Sequence, residues 1–66
     1  MPRFGGHDPT AVARGVNLPG HPDFWLIAAG GLYLFATAEN REAFAANQEK
    51  AIAAAMARWP QVERAP

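Results

Sequence analysis

The chain has 66 residues, no cysteine, and six Lys or Arg set against six Asp or Glu. One small domain is the ceiling for that length, because such a domain buries only about 60% of its unfolded surface. The absence of cysteine excludes disulfides, thiolate metal sites and a Cys nucleophile, and zero net charge gives no electrostatic footprint for nucleic acid or an anionic membrane.

Half of the residues are hydrophobic, yet alanine supplies 15 of those 33. Ordering a chain costs about 1.5 kcal/mol per residue, so small domains commonly need a disulfide, a metal or self-association to offset it. Without cysteine, metal and self-association are the staples to test.

Residues 1–5 hold one Arg and no apolar run, so they read as a flexible N-terminus and not as a signal peptide. The longest uncharged stretch, 24–38, is shorter than the roughly 20 residues that span a bilayer, and Gly30-Gly31 breaks its middle. The expectation is a cytoplasmic protein with no membrane or nucleic-acid partner. The first 23 residues carry four prolines and four glycines, a composition of loops and short strands.

Residues 24–29 and 32–36 are apolar runs on either side of Gly30-Gly31. A Gly-Gly pair suits a two-residue turn with positive φ at both positions, so a β-hairpin is predicted. Its register pairs Ala29 with Leu32, Ala28 with Tyr33, Ile27 with Leu34 and Leu26 with Phe35. Side chains alternate between faces. One face carries Trp25, Ile27, Leu32 and Leu34; the other carries Phe24, Leu26, Tyr33 and Phe35. Both are apolar, whereas a solvated antiparallel hairpin shows one polar face.

Thr37 is a good N-cap, and Glu39 in the first turn favours the helix dipole. A helix is predicted over 38–46, with a break at Asn47 and a second helix over 48–58. Ile52, Met56 and Trp59 fall at i, i+4 and i+7, a helical stripe. Pro60 should stop the helix, leaving 60–66 as a frayed tail. The expected core is Tyr33, Phe35, Phe44 and Ile52. The fold class is α+β, an antiparallel hairpin or short sheet packed on two C-terminal helices.

Gly6-His7-Asp8-Pro9-Thr10-Ala11-Val12, then Tyr33-Leu34-Phe35-Ala36-Thr37-Ala38-Glu39-Asn40-Arg41, then Phe44-Ala45-Ala46-Asn47-Gln48-Glu49-Lys50 together resemble the YHS domain family over residues 6–59. The resemblance implies a small α+β module, found alone or fused to metal transporters and oxygenases, and linked to heavy-metal handling. Metal-binding relatives supply cysteines, and this chain has none. It also has His7 where the family has Tyr, Gln48 for Pro and Ala51 for Tyr. Cysteine-type metal binding is therefore out of reach, while the fold expectation stands.

His7, Asp8, His21 and Asp23 form the one ligand set available to a divalent transition metal such as Cu, Zn or Ni. Their spacing matches no defined motif. The plainer reading makes Asp8-Pro9 and Pro22-Asp23 turn elements. Glu39 and Glu42 share a helix face but read as a dipole partner and a solvated residue. No nucleophile–base arrangement or phosphate loop is readable, so an enzyme is not expected.

Trp25, Ile27, Leu32 and Leu34, joined by Met56 and Trp59, form the expected interface. Either the N-terminal segment covers the hairpin face with Val12, Val16 and Leu18, or a partner does. The functional expectation is a non-catalytic, self-associating interaction module, with a homo-oligomer or a larger protein as partner. The alternative is a metal-binding accessory protein using His and carboxylate ligands.

Overall fold

The computed structural model describes residues 1–64. A 3-10 turn, Arg3–Gly6, leads into helix α1 (Pro9–Val12). Strands β1 (His21–Ala28) and β2 (Gly31–Phe35) follow, then helices α2 (Ala38–Ala46) and α3 (Gln48–Arg64). The strands form one two-stranded antiparallel sheet. The expected α+β class, a hairpin packed on two C-terminal helices, is the observed one.

The hairpin turn sits one residue earlier than predicted. Ala29 (φ 49°) and Gly30 (φ 74°) occupy the two positive-φ positions. The register is therefore Ala28 with Gly31, Ile27 with Leu32, Leu26 with Tyr33 and Trp25 with Leu34. Each partner moves by two, so the division of side chains between faces is unchanged. Gly31 lies in the strand for another reason. A Cβ there would collide with the Arg3 side chain, which crosses over it. The sequence shows two glycines; close packing claims one and the turn claims the other.

Strand β1 begins earlier than the apolar run implies. His21 pairs with Phe35, and the next pair is Trp25 with Leu34, so residues 22–24 bulge out. The bulge contains Pro22, which has no N–H for a ladder bond. It leaves Phe24 packed against the core with Leu26.

The α2 boundaries match the sequence. Thr37 Oγ1 accepts from the Asn40 amide at 3.1 Å, which caps the start. Asn47 ends α2, and its side chain accepts from the Lys50 amide at 3.5 Å to start α3.

Helix α3 does not stop at Pro60; it runs to Arg64. The predicted tail is helical over 60–64, and residues 65–66 lie outside the described ones. A proline inside a helix removes one ladder bond. Here Pro60 and Met56, one turn before it, are both exposed, so water can serve the freed carbonyl. On the other side Val62 is buried against Val12 and Ala55. The core-facing stripe is therefore Ala55 and Val62 with the half-buried Trp59, and Met56, expected at the interface, is exposed at 62%.

Two clusters make the core. The first is Ala28, Tyr33, Phe35 and Phe44, with Ile52 half-buried beside it. The second is Val12, Ala55 and Val62. Tyr33, Phe35 and Phe44 are buried as expected. Phe4 packs against both clusters, with its ring 6.1 Å from Tyr33 and 5.5 Å from Trp59. The N-terminus thus belongs to the folded unit, because its one aromatic residue joins the two parts of the core.

Ala29 carries the strain of a left-handed backbone, which costs about 1 kcal/mol for a residue with a Cβ. Asn followed by Gly is the preferred pair at these two turn positions. Ala29→Asn is expected to raise the unfolding free energy by about 0.5–1 kcal/mol, read as a later urea midpoint with an unchanged slope.

Candidate functional site

Asp8 is the only buried charged residue among the described ones. It is the N-cap of α1, with Pro9 at the first helical position, where a missing N–H leaves nothing unpaired. Its Oδ1 accepts from the amides of Thr10 at 2.8 Å and Ala11 at 3.3 Å. Its Oδ2 accepts from the amide of Ala36 at 2.9 Å and from Asn40 Nδ2 at 2.8 Å. Thr10 adds a bond from its hydroxyl to the Asn40 carbonyl at 2.9 Å. One carboxylate thus joins α1, the end of β2 and α2.

That arrangement answers the metal reading. Asp8 directs both oxygens at N–H donors. His7 Nδ1 lies 3.0 Å from the Phe4 carbonyl, and its ring lies against Trp59. A carbonyl only accepts, so Nδ1 carries the hydrogen there. His21 Nδ1 accepts from the Asp23 amide at 3.0 Å. The Asp23 carboxylate is 3.7 Å from the same nitrogen, and a nitrogen already accepting an N–H cannot also donate to it. The four residues are not brought together, and no group of three or more His, Cys, Asp or Glu among the described residues could hold a metal ion.

Glu39 lies in the first turn of α2, as the dipole reading requires. Glu42 pairs with Arg41 at 3.3 Å on the surface.

The hairpin face is the remaining candidate. Trp25 opposes Leu34 and Ile27 opposes Leu32, so the four share one side of the sheet. The N-terminal segment covers only one end of it. Residues 6–8 run antiparallel to 18–20, with Asp8 N donating to Leu18 O and Gly20 N to Gly6 O, each at 2.8 Å. That pairing lays Gly20 directly on Leu34. A Cβ at Gly20 would stand 2.6 Å from Leu34 Cβ and 2.7 Å from its carbonyl oxygen, so only glycine fits.

Leu34 is half-buried as a result; Leu32, at the other end beside Pro2 and Arg3, is half-buried too, while Trp25 remains 54% and Ile27 66% exposed. Val12, expected to help cover this face, is buried against α3 instead. Val16 and Leu18 are themselves exposed at 48% and 37%. Of the helix residues expected at the interface, Met56 is exposed, but Trp59 is half-buried against Phe4 and His7.

Sequence reasoning missed the bond between Asp8 and Asn40, 32 positions apart. The available signal was Asp followed by Pro, an N-cap and first-position pair. Comparison of the chain with family models, curated proteins and solved structures gave no match.

Asp8→Asn keeps the size of the side chain but turns one acceptor into a donor. Either orientation of the amide then faces two N–H groups with an NH₂. The variant is expected to lose about 2–3 kcal/mol of unfolding free energy, a large part of the roughly 3–10 kcal/mol that a domain of this size holds. Urea denaturation followed by circular dichroism reads the loss; an unchanged midpoint would show that the four bonds contribute nothing.

Proposed function

We propose that this chain is a non-catalytic interaction module of YHS type that self-associates through its open hairpin face. The observation that carries the reading is the exposure of Trp25 and Ile27, 54% and 66%, side by side on a sheet face without a charged residue. A contiguous apolar patch on a small domain marks an interaction surface.

A second copy of the chain is the partner that fits. An uncharged apolar face is complementary to itself under a two-fold axis. Zero net charge gives two copies no long-range repulsion to overcome. A stable interface needs about 800 Å² from each partner, roughly a fifth of the chain's 4231 Å² of accessible surface. A shallow cleft of about 510 Å³ extends the face past Ile27 and Leu32 to Met1, Pro2 and the charged Arg3. Support for the family part comes from the two halves of the motif. Asp8 of the first half accepts from Asn40 of the second at 2.8 Å, and Phe44 of the second half is in the core.

Sedimentation at about 100 μM, well above a micromolar dissociation constant, is expected to give twice the 7.1 kDa chain mass. Ile27→Asp is expected to give the single-chain mass with the far-UV circular dichroism of the folded chain retained, because Ile27 is a surface residue within one chain; its thermal midpoint should fall to that of the dilute unaltered protein, which has lost the stabilisation that association adds. A 7.1 kDa species for the unaltered protein would reject self-association.

A further inference from the structure

We propose that the cleft between the N-terminal turn and α3 binds a small aromatic carboxylate. The cleft has a volume of about 230 Å³ and is lined by Arg3, Phe4, Tyr33, Ile52, Met56 and Trp59. It lies on the Tyr33 side of the hairpin, and Arg3 is the one residue it shares with the cleft beside Ile27 and Leu32. Two observations give it a ligand chemistry.

The first is Tyr33. Its side chain is buried, with 4% exposure. Its ring is fixed by Phe44 at 5.0 Å and Phe4 at 6.1 Å. The hydroxyl has no hydrogen-bond partner among the described residues, yet no buried side-chain polar atom is left unpartnered. The hydroxyl therefore keeps some solvent access, and Tyr33 is one of the residues that line the cleft. It is a donor held in a fixed position at an apolar wall.

The second is Arg3. It is exposed and forms no ion pair among the described residues, where Arg41 is paired with Glu42. Its side chain lies across Gly31 from Cγ to Nε, and Arg3 is among the residues that line the cleft. A planar cation and a phenolic donor are suited to a carboxylate.

The walls specify the rest of the ligand. Phe4 and Trp59 stand edge to face with ring centres 5.5 Å apart, and Ile52, Met56 and Trp59 line the α3 side. A single ring with a short acidic arm suits this volume, whereas drug-sized ligands occupy about 300–1,000 Å³.

Phenylacetate is the probe, with 2-phenylethanol as its uncharged counterpart. Titration followed by two-dimensional NMR is expected to shift the resonances of Phe4, Tyr33, Ile52 and the Trp59 indole together. Saturation should give a dissociation constant of about 0.1–1 mM, the range open to a ligand of about ten non-hydrogen atoms. The alcohol should bind at least about tenfold more weakly, as loss of a charge-assisted pair implies. Arg3→Gln and Tyr33→Phe should each weaken phenylacetate about fivefold or more and leave the spectrum otherwise native, since one group is exposed and the other has no partner in the protein. Equal binding of acid and alcohol, shifts centred on Trp25 and Ile27, or no saturable shift would each overturn the proposal.

Discussion

One buried carboxylate makes most of the hydrogen bonds that tie the segment N-terminal to the hairpin to β2 and α2, with the Thr10 hydroxyl adding one more. Residues 1–20 add no strand to the main sheet; their own pairing is a single bridge between His7 and Pro19. Asp8 makes the connection, with two bonds to its own helix and two to Ala36 and Asn40. Bonds to an ionised acceptor are roughly twice as strong as neutral ones. A buried charge with all its acceptors used also specifies one arrangement, because any slip would leave a charge without donors. The packing of Phe4 and Val12 into the two core clusters follows from that placement.

The same constraint shapes the surface. By pairing residues 6–8 with 18–20, the N-terminal segment brings Gly20 onto Leu34 and stops there. Leu34 is sheltered, and Trp25 and Ile27 are not. The fold therefore solves half of the problem posed by a hairpin that is apolar on both sides. The other half is left for a second chain in the proposed reading. The carboxylate is also taken out of the candidate metal-ligand set, since both Asp8 oxygens already face N–H groups, four in all. The opposite side of the sheet, with Tyr33 and Arg3 around a small cleft, has separate chemistry.

Local signals were the legible ones. Thr37, Asn47 and the alanine-rich run located α2 and the start of α3, because caps and propensity act within a few residues. The alternation of apolar residues identified the two faces correctly even though the turn was placed one residue late. What misled was the Gly-Gly pair, since nothing in the sequence says that Gly31 makes room for Arg3. Pro60 was read as a stop because local chemistry says so, but burial of Val62 against Val12 outweighs one lost ladder bond on the solvent side. Asp8 was illegible as an organiser for the same reason. Its partners Ala36 and Asn40 are 28 and 32 positions away, and a turn aspartate looks the same with or without them.

Native-state hydrogen exchange on the unaltered protein tests most directly whether Asp8 joins the N-terminal segment to the rest as one cooperative unit. The account predicts that the amides of Thr10 and Ala36, which point at the two Asp8 oxygens, exchange only through global unfolding. Their opening free energy should equal that of the slowest amides of α3 around Ala55. Exchange of Thr10 and Ala36 through a separate, cheaper opening while Ala55 stays protected would contradict it.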